Sequence, residues 1–317
     1  MSHCCVIGGT GFIGSHLVEQ LVSQARQVTV IGRSKIPTRD LPREVRYLAG
    51  NYGDEKLLLE ALRDVDEVIH LAHSTVPKTS FDNPIQDILA NLPASVTLFD
   101  AATRFSIRKL VFVSSGGTVY GKACSLPITE DHPKSPISPY GITKLTIENY
   151  AMMFQKLKGL PVVCVRPSNA YGERQRPFVD QGFVATAIAS VLSGKEITVF
   201  GDRGTTRDYV HVTDVARGIL ASLELGQIGS FYNLGTGIGK NNMEVLDAIR
   251  PYAESAGYEI RVKIEPGRAF DVPANLLDSS KLRKETRWDP MVTFEEGIRR
   301  TWNWFSRNSQ ERRGLPG

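Results

Sequence analysis

The N-terminal residues 4–24 constrain the fold more than any other part of the chain. An apolar run, CCVIG, leads directly into GGTGFIGSH, and the amphipathic segment SHLVEQLVSQ follows. Glycines at a strand-to-helix turn let the backbone turn tightly and approach a diphosphate, while the helix N-terminus offers free N–H groups to an anion. This arrangement predicts a dinucleotide-binding βαβ unit. The positions expected to hold the cofactor are Gly8, Gly11, Phe12, Ile13 and Gly14.

Short apolar runs rich in Val and Ile continue this pattern to about residue 165. Longer amphipathic segments separate them, and strands buried on both faces with helices between them are typical of a parallel sheet. The predicted fold class is therefore α/β, a doubly wound parallel sheet of the Rossmann type. The predicted strands are CCVIG at 4–8, QVTVI at 27–31, VRYLA at 45–49, EVIHLA at 67–72, KLVFVS at 109–114 and VVCVR at 162–166.

Beyond about residue 170 the alternation weakens, which predicts a smaller mixed C-terminal lobe. FVATAIASVLSG predicts a helix that ends at Gly194, KEITVFG a strand, and HVTDVARGILASLEL a helix with an apolar face. We expect residues 1–168 to form the dinucleotide-binding domain and residues 169–317 to form predominantly a substrate-binding lobe. Whether some of its segments return to the first domain stays open. The polar, Gly/Pro-rich residues after about 306 are expected to form a loose tail.

Composition and charge argue against several classes of function. The net charge is +4 over 317 residues, and no run of Lys and Arg is dense enough for a nucleic-acid or membrane surface, so the expected partner is a small molecule. The N-terminal apolar run stops too soon for a signal peptide or a membrane span. The four cysteines show no CxxC spacing, which favours reduced thiols and a cytoplasmic protein. The histidines form no metal-binding pair, so no metal is predicted.

The end of the second predicted strand departs from the usual NAD pattern. An acidic residue about 20 positions after the glycines normally holds the adenosine ribose. Here Gly32 and Arg33 stand at that point. An arginine there can accommodate a ribose 2′-phosphate, which favours NADP, but Arg33 stacked over the adenine or turned to water is nearly as plausible, so the cofactor is expected to be NAD or NADP. Further positions expected along it are Asn51 or Asp54, Leu71 and Ala72.

The segment SPYGITK carries Tyr140 and Lys144 four residues apart. In a helix these two side chains share a face, which brings the ammonium group beside the phenol. A phenol with a pKa of about 10 is a poor base at neutral pH, and an adjacent cation lowers that pKa. Tyr140 is therefore a candidate general acid and base, with an exposed helix pair as the alternative.

Several motifs occur in an order that resembles a known family. GGTGFIGSH, SSGGTVYG, YGITK, RPSNAYG, GTTRDYVHVTDVA and NLGTG are similar to motifs of the extended short-chain dehydrogenases, the NAD(P)-dependent nucleotide-sugar epimerases and dehydratases. The resemblance covers about residues 4–305 and is closest to the UDP-glucose 4-epimerases and their N-acetylhexosamine relatives. It implies a tightly bound cofactor, a UDP-sugar or other nucleotide-sugar substrate, and a homodimer formed through helices that include the segment after Tyr140.

The resemblance also implies a reaction. Tyr140 takes the proton of the sugar 4-hydroxyl while C4 passes a hydride to the nicotinamide, and a 4-keto intermediate turns over and receives the hydride on its other face. Lys144 holds the nicotinamide ribose and lowers the pKa of Tyr140. An NADPH-dependent 4-ketoreductase shares almost every motif, and a catalytically inactive nucleotide-binding protein is a third alternative.

The hydroxyl beside the tyrosine is where the chain departs from the family. Aligned through TVYG, the usual catalytic Ser or Thr falls on Gly116, which has no side chain. Ser115 or Thr118 must then supply the hydroxyl, or the backbone and water do so. We expect Thr118, because Ser114 and Ser115 continue an alternating strand and one of them must face away. The acidic pair of the dehydratases is replaced by Gly117 and Thr118, which disfavours dehydration.

Substrate-binding residues are implied in the C-terminal lobe. Arg207 and Arg268 resemble the clamp on a nucleotide diphosphate, where guanidinium groups make bidentate contacts. Asp208 and Asp271 accompany them, as carboxylates suited to ribose hydroxyls, and Asn169 matches a residue that contacts a diphosphate oxygen. Asn275 stands where epimerases restricted to plain hexoses carry a bulky aromatic residue, so N-acetylated sugars are expected to fit. The alternatives are that Arg207 and Asp208 form a surface pair, that Arg268 is a solvated loop residue and that Asn169 is a turn former.

Overall fold

The computed structural model describes residues 2–179, 181–268 and 272–314, with side chains to residue 309. Its centre is a seven-stranded sheet in which every neighbouring pair is parallel. The six predicted strands are confirmed, with ends shifted by one or two residues. The bounds are β1 His3–Ile7, β2 Gln27–Gly32, β3 Arg46–Ala49, β4 Glu67–His70, β5 Lys109–Val113, β6 Val162–Pro167 and, as the seventh, β10 Phe231–Leu234.

The strand order is β10-β6-β5-β4-β1-β2-β3, so the order reverses between β1 and β4. In doubly wound sheets, ligands bind outside the carboxyl ends of the strands at such a reversal. The predicted α/β Rossmann fold is confirmed. Because β10 comes from the second half of the chain, that half does return to the first sheet.

Helices cover both faces of the sheet. One face packs on α1 (Phe12–Ser23) and α7 (Val212–Leu225), and the other on α2 (Glu55–Ala61), α4 (Pro84–Ala102) and α5 (Pro139–Lys158), with the short α3 (Pro77–Asp82) before α4. Alternate residues of a strand face opposite sides. On β1, Cys4 and Val6 therefore enter one core while Cys5 and Ile7 enter the other. This explains why the strands lack a polar face.

The second lobe is smaller and mixed, as predicted. One sheet joins β7 (Asn169–Tyr171), β9 (Thr206–His211), β11 (Gly239–Lys240) and β13 (Ala274–Asn275), and a parallel pair joins β8 (Ile197–Phe200) and β12 (Val262–Glu265). Its helices are α6 Phe183–Leu192, α8 Asn242–Ser255, α9 Ser280–Thr286 and α10 Phe294–Gly314. No helix in the described ranges is long and apolar enough to cross a membrane.

The last helix corrects one expectation. The residues after 306 continue α10 to Gly314 and do not begin a loose tail there. The buried side chains of Ile298, Trp302 and Phe305 fix the helix against α6 and α8. The polar residues that follow, SRNSQERR, are compatible with a helix, so a helix anchored at its start extends through them.

Candidate active site

A cavity of about 1850 Å³ lies between the two lobes, at the carboxyl ends of the strands. It brings together the predicted site residues apart from Asn275, Asp208, Asp54 and Asp271. Asp271 lies outside the described residues. Asp54, the alternative to Asn51, caps α2 by accepting a hydrogen bond from the backbone N–H of Lys56 at 2.9 Å. Within the described chain, no group of three or more His, Cys, Asp or Glu side chains is arranged to hold a metal ion.

The glycine turn after β1 has the geometry of a diphosphate cradle. Gly8 adopts a φ of +87°, and its carbonyl accepts a hydrogen bond from the Gly11 N–H at 3.0 Å. A Cβ on Gly14 would lie only 2.2 Å from the Gly8 oxygen, so a side chain cannot be accommodated. Gly11 precedes α1 without a side-chain cap, which leaves the first N–H groups of the helix available to an anion. These residues fit a dinucleotide cofactor.

The adenosine end of the cavity is rich in arginine. Arg33 lines it at the end of β2, together with Arg39 and Arg176. The phenol of Tyr47 donates to the Ser34 carbonyl at 2.6 Å and so holds the loop that follows Arg33. Arg33 therefore lies on the cavity wall at the end of β2, and its contact with a cofactor stays a prediction.

The predicted tyrosine and lysine lie on the first turns of α5, facing the cavity. Pro139 starts the helix, and the Ser138 hydroxyl accepts a hydrogen bond from the Gly141 N–H at 3.1 Å. Lys144 Nζ lies 5.8 Å from the centroid of the Tyr140 ring and donates to the Val113 carbonyl at 3.0 Å. Capping at Ser138 thus sets where α5 begins, and with it the position of Tyr140 and Lys144 beside the end of β5.

The net pKa of Tyr140 in this structure is raised above the ordinary value. Burial raises the pKa of the Tyr140 phenol, the Asp87 carboxylate raises it further, and an interaction with Ser115 lowers it only in part. Burial also lowers the pKa of Lys144 to about 8, against the opposing effects of Glu148 and Asp87. The i, i+4 spacing brings the two groups together, and removal from water is the largest effect on both.

The hydroxyl beside Tyr140 belongs to Ser115. The Ser115 side chain interacts with the Tyr140 phenol and lowers its pKa, whereas the Thr118 hydroxyl reaches the Ser115 carbonyl at 3.5 Å. A Cβ on Gly116 would lie 2.5 Å from Leu277 Cδ1, which shows that position 116 faces the core. The position at which the alignment through TVYG places the family's hydroxyl therefore faces the core, and of the two candidates Ser115 is the one that interacts with Tyr140.

Some of the predicted substrate-binding residues line the cavity, and others lie behind its wall. Asn169, Arg207 and Arg268 line the cavity, and the Arg268 guanidinium lies 4.0 Å from the centroid of the Phe200 ring. Asp208, by contrast, is buried and accepts hydrogen bonds from the Thr236 hydroxyl and from backbone N–H groups of residues 236, 237 and 277. Its carboxylate therefore organises the second lobe instead of facing a ribose.

Asn275 is also behind the cavity wall. Its side chain is only 1% exposed, and its amide donates to the Gly116 carbonyl at 3.2 Å. Asn275 is not among the residues that line the cavity. The expectation that its small size makes room for an N-acetyl group has no support in this geometry.

Two residues that the sequence analysis did not select face Tyr140. The ring of His73 meets the Tyr140 ring edge to face, with centroids 4.6 Å apart, and His73 Nε2 lies 3.3 Å from Asp87 Oδ1. His73 follows the cofactor position Ala72 directly in HLAH, so its place just after a strand was a usable signal. Asp87 comes from α4, and nothing in the local sequence indicates that it reaches this site.

A doubly wound sheet with a glycine cradle facing a Tyr-Lys pair defines an enzyme of the extended short-chain dehydrogenase type. The chain belongs to the NAD dependent epimerase/dehydratase family, whose model matches residues 4–235. The resemblance seen in the motifs is thereby confirmed, and the cofactor of the family is NAD.

Similar proteins extend the match over nearly the whole chain. A putative UDP-glucose 4-epimerase of Methanocaldococcus jannaschii is 32% identical over 307 residues, covering 96% of this chain and 99% of the relative. The UDP-glucose 4-epimerase of Thermotoga maritima, solved with UDP-glucose, has a TM-score of 0.91 at 32% identity, covering 97% and 99% of the two chains. That of Thermus thermophilus, solved with NAD, has a TM-score of 0.87 at 35% identity, covering 96% and 99%.

Proposed function

We propose that this chain is a nucleotide-sugar 4-epimerase that acts on a UDP-hexose or UDP-N-acetylhexosamine through a transient 4-keto intermediate. The observation that carries the proposal is the position of Tyr140, Lys144 and Ser115. They lie in one cavity that runs from the glycine cradle to the arginines of the second lobe. The epimerases with similar sequences and folds support it.

The proton transfer is assigned to Tyr140. A bound NAD supplies the hydride acceptor at sugar C4 and then the hydride donor. The Tyr140 oxygen takes the proton of the 4-hydroxyl and later returns it, while Ser115 holds that hydroxyl by a hydrogen bond. To act as a base the phenol must ionise, and Lys144, whose pKa of about 8 keeps it mostly charged at neutral pH, is the neighbouring cation that favours this.

The substrate diphosphate is assigned to the second lobe. Arg207 and Arg268 line the cavity with Asn169, at the end away from the glycine cradle. Guanidinium groups suit a diphosphate because they donate parallel hydrogen bonds to its oxygens. Dehydration is disfavoured, because the cavity wall has Gly117 and Thr118 where an acidic pair would be needed.

The activity is tested by incubating the purified protein with UDP-glucose or UDP-N-acetylglucosamine and no added cofactor. The anomeric signals of the galacto epimer should appear in the NMR spectrum, because the cofactor is recycled within each turnover. If no epimer forms, but a 4-keto nucleotide sugar is consumed once NADPH is supplied, the protein is a ketoreductase and the proposal is wrong.

The role of Ser115 can be separated from that of Thr118. Ser115→Ala should lower kcat by about 10²-fold, because it removes the hydroxyl that interacts with the Tyr140 phenol. Thr118→Val should have a smaller effect, since its hydroxyl reaches only a backbone carbonyl. Steady-state rates with UDP-glucose measure both. A greater loss in Thr118→Val would overturn the assignment.

A homodimer through α4 and α5 is also proposed. Apolar side chains follow the outer faces of these two packed helices, among them Ile85, Ile88, Met153 and Leu157, which are 69%, 45%, 38% and 77% exposed. A second copy packing the same helices against them would cover this surface, as expected for a two-fold interface.

The free cysteines, of which Cys4, Cys5 and Cys164 are buried, support a reducing compartment such as the cytoplasm.

Light scattering after size exclusion tests the dimer. The wild-type mass should be twice that of one chain, and Met153→Glu combined with Leu157→Glu should give a monomer, because two charges would be buried in the interface. Met291→Glu, at a residue that is 74% exposed elsewhere, serves as the matched control and should leave the mass unchanged. A dimeric double variant would exclude this interface.

A further inference from the structure

His73 is a buried histidine to which the reaction described above gives no part. Its side chain is 6% exposed and lines the cavity beside Tyr140. Its Nε2 faces the fully buried carboxylate of Asp87, which also accepts hydrogen bonds from the Thr143 hydroxyl, at 2.5 Å, and from the Thr75 hydroxyl. Burial alone would raise the pKa of Asp87, but the hydrogen bonds from His73, Thr143 and Thr75 hold it below its ordinary value.

These contacts determine which ring nitrogen carries the proton. An ionised carboxylate only accepts hydrogen bonds, so Nε2 of His73 must be the donor. Burial and the Lys144 ammonium lower the pKa of His73 to about 4, against the pull of Asp87, and the ring is therefore neutral at neutral pH. The remaining nitrogen, Nδ1, then has a free lone pair.

That lone pair has no protein partner. Nδ1 is buried and accepts no hydrogen bond from any residue that the structure describes. Leaving a buried polar atom without a hydrogen-bond partner destabilises the protein. His73 lies on the cavity wall, with its ring 4.6 Å from the Tyr140 ring between centroids, so the unsatisfied nitrogen belongs to a residue that a ligand bound against Tyr140 would contact.

We propose that His73 is a ligand-binding residue whose Nδ1 accepts a hydrogen bond from a hydroxyl group of the molecule bound beside Tyr140, and that Asp87 is the positioning residue that fixes the required tautomer. The inference rests on the proposed function for the kind of ligand. The hydroxyl can belong to the hexose of the substrate or to the nicotinamide ribose of the cofactor, and binding measurements distinguish the two.

Three variants of His73 separate ligand binding from a purely structural role. His73→Phe keeps a ring edge against Tyr140 but removes both nitrogens. His73→Asn retains a polar atom near the position of Nδ1, and His73→Gln retains one near the position of Nε2. If His73 binds the ligand through Nδ1, His73→Asn should restore the affinity that His73→Phe loses, and His73→Gln should not. The contact between Nε2 and Asp87 serves only to make Nδ1 the acceptor.

The readout is affinity measured by calorimetry on the cofactor-loaded protein, together with the rate at which NAD dissociates. If the hexose supplies the hydroxyl, His73→Phe should weaken UDP-glucose binding about tenfold, as for one lost hydrogen bond, and leave UDP binding unchanged. If the cofactor supplies it, NAD should dissociate about tenfold faster instead. Unchanged affinity and unchanged NAD dissociation in His73→Phe, or rescue by Gln and not Asn, would overturn the proposal.

Asp87→Asn tests the tautomer itself. An asparagine amide can donate to Nε2, which would move the ring proton to Nδ1 and convert that atom from an acceptor to a donor. Ring ¹⁵N NMR should report the Nε2–H tautomer of His73 in the wild type and the Nδ1–H tautomer in the variant. An Nδ1–H tautomer in the wild type would contradict the proposal. Because these readouts do not use turnover, a protein that binds UDP-glucose without epimerising it would refute the proposed function and still test this inference.

Discussion

Replacing Tyr140 with phenylalanine should lower kcat for epimerisation by about 10³-fold, the size expected when a general acid and base is removed. The variant loses only the phenol oxygen, which interacts with Ser115. Its ring stays packed against His73, and the glycine cradle is untouched, so folding and NAD binding should be preserved. Steady-state rates and the NAD content of the purified protein measure the two effects separately.

Tyr150→Phe is the matched control for this prediction. Tyr150 lies on the same helix, α5, and is 37% exposed. Removing its hydroxyl should leave kcat unchanged within error. If Tyr140→Phe kept more than a tenth of the wild-type rate, the proton transfer would have to be assigned to another group.

Replacing Arg166 with methionine should lower the free energy of unfolding by about 3–5 kcal/mol, because it leaves a buried charge without its partner. Arg166 and Glu148 are each 1% exposed and form two parallel hydrogen bonds, Nε to Oε1 at 2.9 Å and Nη2 to Oε2 at 2.6 Å. The pair joins β6 to α5, the helix that carries Tyr140 and Lys144. Urea denaturation measures the loss.

Two comparisons identify the cause of that loss. The double variant Arg166→Met with Glu148→Leu should recover most of the stability, since no buried charge remains. Arg104→Met removes the partner of Glu55 in an ion pair whose side chains are 48% and 53% exposed, and it should cost less than about 1 kcal/mol. A loss in Arg166→Met no greater than in Arg104→Met would contradict the account of the buried pair.

The sequence was sufficient to predict six of the seven strands of the sheet and the glycine turn after the first of them, because these depend on local patterns. Strands buried on both faces are continuous apolar runs, and the glycine turn follows the first of them directly. Tyr140 and Lys144 were found because helical spacing alone places them on one face. The seventh strand was not predicted, because β10 pairs with β6 across more than sixty residues of intervening chain.

The errors share a physical origin. The burial of a side chain is a property of the whole fold, and local spacing does not report it. Aligning the motifs placed the family's catalytic hydroxyl at position 116, but Leu277 packs where a side chain at Gly116 would lie. Asn275 is likewise buried, and its amide donates a hydrogen bond to the Gly116 carbonyl. Burial and the Asp87 carboxylate raise the pKa of Tyr140, and that carboxylate comes from α4, far from both sequence motifs.

In the proposed reaction, hydride leaves and returns to the same carbon of a sugar held beside Tyr140. UDP-glucose deuterated at C4 can be incubated with the purified protein and no added cofactor, and the epimer analysed by NMR and mass spectrometry. We expect UDP-galactose that retains the deuterium at C4, because the hydride never exchanges with water. A product carrying a solvent hydrogen at C4, or no epimer at all, would contradict the proposed reaction.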